Sequence, residues 1–415
     1  MQDSTFIKRV ILKNYKSIAA CDVQLQPLTF LVGRNGSGKS NFLDALRFVS
    51  DALNYSLEHA IRDRGGYNGI RRQVRRRPNN LSIRLNFVLT DGSSGYYAFR
   101  FKFAPGKHFE VQNEVCHVQN KQSCISDAYY RVESGIVKDS SVKVTPAATK
   151  DRLYLVNVSG LPEFQPVYDA FSRMEFYNLN PEKIRDPQVP DSGNILNRNG
   201  SNITSVFANL SQPVKTRVEE YLGIVTPGIR EVKVKILGNR ETIVFLQKVA
   251  DGDYVWKYYA NDMSDGTLRA LGILVALFQD NPDVENRIKL VGIEEPELAL
   301  HPASAGVLLD ALQDAAHRTQ VIITSHSPDL LDNKDIDIES ILAVEAHDGT
   351  TAIAPVDDAC RSVIKDKLFT TGELLRLDQL QPDPASVAAA AKTKPFILSD
   401  KKNENSNKPK NMEWN

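Results

Sequence analysis

A glycine-rich segment near the N-terminus constrains the fold more than any other part of the sequence. Residues 33–40 read GRNGSGKS and match the pattern G-x-x-x-x-G-K-[ST]. They follow the short apolar segment LTFLV, residues 28–32, and precede residues 39–55, in which apolar side chains recur at three-to-four spacing. This order predicts a strand, a loop and a helix that buries one face.

The residue types in this loop favour phosphate binding. Glycines let backbone N–H groups close around phosphate oxygens, and the following helix N-terminus adds a favourable field. We expect Lys39 to reach the β- and γ-phosphates and Ser40 to ligate Mg²⁺. A chance match forming an ordinary turn is the alternative, and the strand and helix on either side argue against it. The expected nucleotide-binding residues of the loop are Asn35, Gly36, Ser37, Gly38, Lys39, Ser40 and Asn41.

Two adjacent carboxylates end a second apolar segment. Residues 291–302 read VGIEEPELALHP, which places Glu294 and Glu295 directly after a predicted strand. Adjacent like charges cost stability unless something positive lies nearby. With a phosphate loop in the chain, we expect Glu294 to hold Mg²⁺ through water and Glu295 to polarise the water that attacks the γ-phosphate. The alternative is that the pair caps the next helix or faces solvent.

A histidine follows a third apolar segment. Residues 320–331 read QVIITSHSPDLL, and His326 comes just after the predicted strand. A histidine at this place in the same sheet can hydrogen-bond a γ-phosphate oxygen and sense hydrolysis. Taken alone, it is more often a structural histidine. The order of the motifs favours a catalytic set of Lys39, Glu295 and His326.

The composition of the chain excludes only a few classes of protein. In 415 residues, Lys and Arg total 51 and so do Asp and Glu, so no global field attracts nucleic acid or a membrane. The four cysteines form no C-x-x-C pair, which argues against a disulfide framework or zinc ribbon. No apolar stretch of about 18 residues occurs. We expect a cytoplasmic protein with no membrane partner.

Further strands and helices are predicted along the chain. A β-rich stretch begins at 81–103, and mixed signals at 160–225 include a helix near 201–222. Strands are predicted at 231–237, 242–249, 288–293 and 320–324, and helices at 265–279 and 303–317. Strands that alternate with helices predict an α/β protein with a parallel sheet.

Five segments resemble the ABC-type ATPases of the RecF/SMC/OLD-like branch. They are LKNYKSI (12–18), GRNGSGKSN (33–41), MSDGTLRAL (263–271), VGIEEPELALHP (291–302) and VIITSHSPDLL (321–331). The resemblance implies a P-loop NTPase head with a parallel-sheet core, an antiparallel β lobe and an inserted α+β lobe. The expected parts are the phosphate-loop half of the head (1–60), the inserted lobe (61–230), the second half of the head (231–355), a helical extension (356–391) and a disordered polar tail (392–415).

The resemblance also implies a head-to-head dimer that encloses two ATP molecules with Mg²⁺. Ser264, Asp265 and Gly266 would form the signature that faces the partner subunit's γ-phosphate. Asp265 departs from the glycine that many members carry, and its charge would weaken phosphate binding or slow turnover. Lys16 would approach phosphate, or else be a solvated turn residue. Gln73 is the candidate for the glutamine that senses magnesium.

A basic stretch spans residues 62–78, RDRGGYNGIRRQVRRRP. Arginine contacts to phosphate give affinity without sequence preference, and Tyr67 could stack on a base. The alternative is a solvated loop or a helix end that pairs with acids of the inserted lobe. The candidate nucleic-acid contacts are Arg71, Arg72, Arg75, Arg76 and Arg77.

The favoured function is an ATPase that dimerises on ATP and drives, or senses for, a separate effector such as a nuclease or toxin in anti-phage defence. Too few residues follow His326 for a nuclease domain of the OLD type. The alternatives are a RecF-like DNA repair ATPase and a scaffold locked by ATP without hydrolysis. A transporter subunit fits less well, because it would lack a β-rich insertion of this size.

Overall fold

The structure is a computed structural model that describes residues 5–72, 74, 78–104, 108–121, 127–143, 145–248, 254–279, 288–333 and 336–396. Its strands are β1 (Ile7–Tyr15), β2 (Ile18–Gln24), β3 (Leu28–Val32), β4 (Asn80–Val88), β5 (Ser94–Ala104), β6 (His108–Gln119), β7 (Ala128–Glu133), β8 (Ile136–Ser140), β9 (Met174–Tyr177), β10 (Ile229–Leu237), β11 (Arg240–Lys248), β12 (Val255–Tyr259), β13 (Leu290–Glu294), β14 (Gln320–Ser325), β15 (Ile341–His347) and β16 (Thr350–Pro355).

Fourteen α-helices lie in the described ranges. They are α1 (Lys39–Asn54), α2 (Leu57–Arg62), α3 (Tyr67–Ile70), α4 (Tyr154–Asn157), α5 (Gln165–Ser172), α6 (Pro181–Arg185), α7 (Ile203–Asn209), α8 (Gln212–Val225), α9 (Asp265–Phe278), α10 (Ala305–Ala316), α11 (Pro328–Leu331), α12 (Asp358–Lys365), α13 (Thr371–Arg376) and α14 (Pro384–Lys392). Among these described helices, none has the length and apolar character needed to cross a membrane.

In the part of the chain that the structure describes, 13 strands form one sheet in the order β8-β7-β6-β5-β4-β1-β2-β16-β15-β3-β14-β13-β9. The strands from β8 to β2 pair antiparallel. From β15 to β9 every pair is parallel. The predicted parallel core and antiparallel β lobe are therefore confirmed. A separate sheet, β10-β11-β12, contains the two strands predicted at 231–237 and 242–249.

The parallel strands are buried on both faces. In β3, Leu31 packs in one hydrophobic cluster with α1, whereas Phe30 and Val32 pack in a second cluster with α9 and α10. β14 alternates in the same way. A strand covered by helices on both faces needs apolar side chains at successive positions. This is why the segments that precede the loop, the glutamate pair and His326 read as continuous apolar runs.

Residues 61–230 contribute to both edges of the large sheet. β4 to β8 extend its antiparallel side, and β9 pairs with β13 at the opposite edge. The single helix expected near 201–222 is two helices, α7 and α8. Leu210 and Ser211 take extended conformations between them, and Pro213, in the first turn of α8, has no N–H with which to continue a helix from α7. The domain boundaries drawn from the sequence stay a prediction.

The helical extension packs back onto the head. α14 lies against β2, and Lys13 Nζ donates hydrogen bonds to Ala390 O at 2.6 Å and Ala391 O at 3.0 Å near its C-terminal end. A cation at the C-terminus of a helix meets unpaired carbonyl groups and the negative end of the helix dipole. The polar tail expected from 392 lies mostly outside the described residues, since these end at residue 396.

Glu175 of β9 predicts a pH dependence of stability. Burial, with a smaller contribution from the charge of Asp51, raises the pKa of Glu175 to about 7, against about 4.3 in an unfolded chain. Between these values the folded chain keeps a proton that the unfolded chain has lost, so the free energy of unfolding falls as the pH rises. Glu175→Gln should remove this loss and stabilise the protein by up to about 3 kcal/mol near pH 8, measured by urea unfolding.

The matched control is Glu163→Gln, because Glu163 is exposed. It should leave unchanged the difference in unfolding free energy between about pH 5 and pH 8. An equal pH difference in wild type and Glu175→Gln would show that the proton is not held at Glu175.

Candidate active site

The phosphate loop joins β3 to α1, as predicted. Gly36 and Gly38 have φ values of 78° and 103°, which side-chain-bearing residues rarely adopt. A Cβ at Gly38 would lie 2.1 Å from Thr351 Oγ1, and this hydroxyl donates to Ser37 O at 2.8 Å. Glycine is therefore required at position 38 for two reasons, its backbone conformation and the close approach of β16.

Lys39 lies inside the loop. Its Nζ donates to Gly33 O at 2.7 Å and to Arg34 O at 3.0 Å, and the residue is buried. Burial lowers the pKa of Lys39, while the carboxylates of Glu295 and Glu297 act in the opposite direction. The amine thus faces both the loop and the glutamate segment, in the place where a bound triphosphate would need a cation.

Glu294 and Glu295 lie at the carboxyl end of β13, next to β14. Glu294 is paired in register with Thr324, and Glu295 N donates to Thr324 O at 3.0 Å. Glu295 has a φ of 46°, a left-handed conformation that costs free energy in a non-glycine residue and is concentrated at functional sites. This sharp turn brings Glu295 Oε1 to 3.2 Å from His326 Nδ1. The structure therefore brings together Lys39, Glu295 and His326.

Glu297 is a third carboxylate that the sequence analysis missed. Its Oε1 accepts hydrogen bonds from Ser325 Oγ at 2.7 Å and His326 N at 3.2 Å. Its Oε2 is buried and has no partner among the described residues. Glu297 therefore fixes the turn that carries His326. The signal was present in the segment EEPEL, but spacing alone did not separate the role of Glu297 from that of the pair before it.

Arg269 of α9 was also missed. Its Nη2 donates to Glu294 O at 3.2 Å and Glu295 O at 3.0 Å, and its Nη1 donates to Leu179 O at 2.8 Å. Burial lowers the pKa of Arg269, and the charges of Glu297 and Glu295 oppose this shift. One guanidinium thus joins the signature helix to the backbone of the glutamate turn.

Two further residues lie beside Glu294. β9 pairs with β13 up to Tyr177 and Ile293, so Asn178, the next residue, lies exposed at the same sheet edge as Glu294. Asn178 N donates to Arg198 O at 2.9 Å, and Arg198 Nη2 donates to Glu294 Oε1 at 2.8 Å. No local motif marked either residue, because they reach the site only through the pairing of β9 with β13.

The signature residues begin α9. Ser264 is the N-cap, and its Oγ accepts a hydrogen bond from Thr267 N at 3.3 Å. Asp265 forms an ion pair with Arg185, whose Nη2 also donates to Met263 O at 3.2 Å. This ion pair offsets the negative charge that the sequence analysis expected to oppose phosphate.

Gly266 packs against the loop that follows the glutamates. A Cβ at this position would lie 2.5 Å from Ala299 O, so a larger residue would push the signature helix and the loop apart. Ala299 itself has a φ of 65°. It stays a prediction that a partner subunit faces the signature residues Ser264, Asp265 and Gly266.

Lys16 and Asn41 have partners within the chain. Lys16 Nζ lies 2.6 Å from Asp44 Oδ2. Although burial opposes ionisation of Asp44, Arg64 and Lys16 beside it lower the pKa of this carboxyl. Asn41 Nδ2 donates to Ser17 Oγ at 2.7 Å. Phosphate contacts by Lys16 and Asn41 stay predictions.

The described part of the basic stretch contacts its own chain. Arg71 donates to Pro78 O at 2.8 Å and Asn79 Oδ1 at 2.7 Å. Arg72 Nη2 donates to Thr350 Oγ1 at 2.8 Å, at the first residue of β16, the strand that supports the phosphate loop. Tyr67 packs against the rings of Phe103 and Phe109. The other residues predicted here, Gln73, Arg75, Arg76 and Arg77, lie outside the described residues.

The donor set fits Mg²⁺ held together with a triphosphate. Such ions take one or two protein oxygens, with phosphate oxygens and water completing the octahedron. Ser40 is exposed in the first turn of α1, and Glu294 ends β13. Within the ranges that the structure describes, no group of three or more His, Cys, Asp or Glu could hold a metal by itself. Ser40 and Glu294 supply oxygen ligands of the kind that such a site uses.

The strand order, the phosphate loop and the glutamate turn define an ABC-type ATPase of the RecF/SMC/OLD branch, and comparisons with known proteins agree. A family model described as "AAA domain, putative AbiEii toxin, Type IV TA system" matches residues 125–332. That match covers half of the chain, and the chain belongs to this family. A second model, "AAA ATPase domain", matches residues 6–151. The resemblance and the fold class predicted from the sequence are confirmed.

Curated relatives match the chain over different lengths. "Old nuclease" of Escherichia phage P2 is 20% identical over an alignment of 395 residues, and the match covers 86% of this chain and 62% of that protein. "DNA replication and repair protein RecF" of Porphyromonas gingivalis is 51% identical over 45 residues, 11% of this chain and 12% of that protein. The chain thus spans less than two thirds of either relative.

Solved structures match the fold. An Smc head bound to the C-winged helix domain of ScpA has a TM-score of 0.50 at 14% identity, over 86% of this chain and 99% of that one. An Smc head with an extended coiled coil, bound to the C-terminal domain of ScpA derived from Pyrococcus furiosus, has a TM-score of 0.50 at 12% identity, over 88% and 99%. At these identities the likeness concerns the fold.

Proposed function

We propose that the chain binds ATP with Mg²⁺, hydrolyses it, and forms a head-to-head dimer in which each phosphate loop is completed by the signature of the other subunit. The observation that carries the proposal is the convergence of Lys39, Glu295 and His326 at the carboxyl ends of three neighbouring strands. Ligands of open α/β sheets bind at this edge.

Each residue has a distinct role in this proposal. Lys39 leaves the loop carbonyls and holds the β- and γ-phosphates. Glu295 accepts the proton of the water whose oxygen attacks the γ-phosphorus, as the bond to the β–γ bridging oxygen breaks. His326 contacts a γ-phosphate oxygen, held in place by Glu297. When bound, Mg²⁺ offsets the charge that develops on the phosphates.

Lys39→Ala tests nucleotide binding. Loss of the cation should weaken binding of a fluorescent ATP analogue by at least about 100-fold, that is by about 3 kcal/mol or more, measured by fluorescence titration. The control is Lys138→Ala, because Lys138 is exposed and should leave the affinity unchanged. Equal affinities of wild type and Lys39→Ala would contradict the proposal.

The dimer has its own test. Ser264→Arg places a long side chain at the N-cap of α9, where the proposal puts the partner's phosphate. This variant should keep its nucleotide affinity and remain monomeric with ATP and Mg²⁺ under light scattering, whereas the wild type dimerises. A wild type that stays monomeric at every nucleotide concentration would contradict the proposed interface.

We further propose that the dimer drives, or senses for, a separate effector in anti-phage defence. The names of the relatives support this context: Old nuclease is a phage protein named for a nuclease, and the family description includes a toxin. Phage plating on cells that carry the chain with its neighbouring genes should show protection that Lys39→Ala abolishes. Equal plating with and without the chain would contradict the defence role.

A RecF-like role on DNA is the second candidate, supported by the short RecF match. It has less support from the site, because Arg71 and Arg72 are engaged within the chain. A slow ATP-locked scaffold is also weakened, since Arg185 offsets the charge of Asp265.

A further inference from the structure

The loop between α6 and α7 places an arginine on the proposed metal-binding carboxylate. Arg198 Nη2 lies 2.8 Å from Glu294 Oε1, with side chains that are 46% and 20% exposed. The loop is held at this point by backbone hydrogen bonds, Asn178 N to Arg198 O at 2.9 Å and Asn180 N to Asn199 O at 3.2 Å. The contact is therefore set by the end of β9 and is not a chance meeting of two long side chains.

We propose that Arg198 is the counter-ion of Glu294 in the metal-free protein and that Mg²⁺ displaces it. This inference rests on the proposed function, because it takes Glu294 as the carboxylate that holds the metal. Glu294 and Glu295 are adjacent like charges, and a guanidinium offsets the repulsion between them. A hydrated Mg²⁺ needs the same carboxylate, and two cations a few ångströms apart repel each other. Arg198 and Mg²⁺ therefore compete for Glu294.

The segment that leads to Arg198, residues 185–196, contacts both ends of the signature helix. Arg185, at the end of α6, pairs with Asp265 at the start of α9. Leu196 N donates to Gln279 Oε1 at 2.8 Å, and Gln279 is the C-cap of α9. Arg198 lies two residues after Leu196, so release of its side chain from Glu294 acts next to one of the two points at which this segment is fixed to α9. Metal binding is in this way linked to the signature, and linkage requires the effect to be reciprocal.

Arg198→Gln in the full chain tests the competition. Mg²⁺ is titrated by calorimetry into protein saturated with a non-hydrolysable ATP analogue. Without the competing cation, the variant should bind Mg²⁺ about 5- to 20-fold more tightly than wild type. Its affinity for the analogue without Mg²⁺ should stay within about twofold. Arg198→Lys keeps the positive charge but loses the planar guanidinium that can bind a carboxylate through two N–H groups. Its Mg²⁺ affinity should therefore lie between those of wild type and Arg198→Gln.

The matched control is Arg230→Gln, because Arg230 is exposed and is not among the residues at the Glu294 edge. It should bind Mg²⁺ as the wild type does. Unchanged or weaker Mg²⁺ binding in Arg198→Gln, with analogue binding intact, would overturn the inference, since Arg198 would then be neutral or help to hold the metal. If neither wild type nor variant bound the analogue, the result would contradict the proposed function itself. The proposed competition between Arg198 and Mg²⁺, which rests on that function, would then fall as well.

Discussion

Glu295→Gln is expected to lower the rate of ATP hydrolysis by about 10²- to 10⁴-fold, the range for loss of a general base. The amide keeps the size of the side chain but cannot take the proton of the attacking water. The backbone should not change, because the left-handed turn is held by the hydrogen bond from Glu295 N to Thr324 O. Phosphate release in a single turnover measures the rate.

Nucleotide binding separates this effect from a structural one. Glu295→Gln should bind the fluorescent analogue as the wild type does and accumulate as a dimer with ATP, because the dimer would open only after hydrolysis. The control is Glu220→Gln, whose side chain is exposed. If Glu295→Gln hydrolysed ATP at the wild-type rate, the general base would have to be another group. Glu297, bonded to Ser325 and His326, would be the first to test.

Three principal site residues were predictable because each follows an apolar strand. Parallel strands bring their carboxyl ends to one edge, and β3, β14 and β13 are neighbours in that order. The residues after these strands therefore meet: Lys39 after β3, His326 after β14, and Glu295 after β13. Local patterns in the sequence were enough, because the fold class dictates the rest.

The residues that were missed depend on pairings between distant segments. Arg269 is in the predicted signature helix, but only packing of α9 against the glutamate turn directs its guanidinium to Glu294 O and Glu295 O. Asn178 and Arg198 reach the site because β9 joins the parallel edge of the sheet. A four-residue strand surrounded by turn-forming residues gives no periodic signal of its own.

The same limit applies to the fold. Apolar strands and hairpin turns have local signals. One such signal is the Asp-Gly pair at 348–349, whose φ values of 48° and 71° suit a two-residue hairpin between β15 and β16. The continuity of the antiparallel lobe with the parallel core was not visible. It depends on β16, which pairs with β15 on one side and meets β2 at a single position, Thr351 with Ile18.

The antiparallel lobe contains a buried carboxylate, and we expect its removal to change the free energy of unfolding more than the Glu175 substitution does. Glu114 of β6 is fully buried. Its Oε1 accepts hydrogen bonds from Tyr97 Oη at 3.0 Å, Tyr130 Oη at 2.9 Å and Leu155 N at 2.8 Å, and its Oε2 accepts one from Tyr154 N. Burial raises the pKa of Glu114, and these four donors oppose the shift. The Glu114 carboxylate thus accepts hydrogen bonds from side chains of two strands, β5 and β7, and from backbone N–H groups at the start of α4.

Glu114→Ala is therefore expected to lower the free energy of unfolding by about 3–5 kcal/mol, because it leaves a cavity and buried donors without an acceptor. Glu114→Gln should lie between this variant and wild type, since its oxygen can still accept while its amide N–H groups face a donor. Glu163→Ala, at an exposed position, should change stability by less than about 0.5 kcal/mol. Urea unfolding measures all three. A loss below about 1 kcal/mol in Glu114→Ala would mean that the tyrosines and α4 find other partners, and that the lobe is held by its apolar core alone.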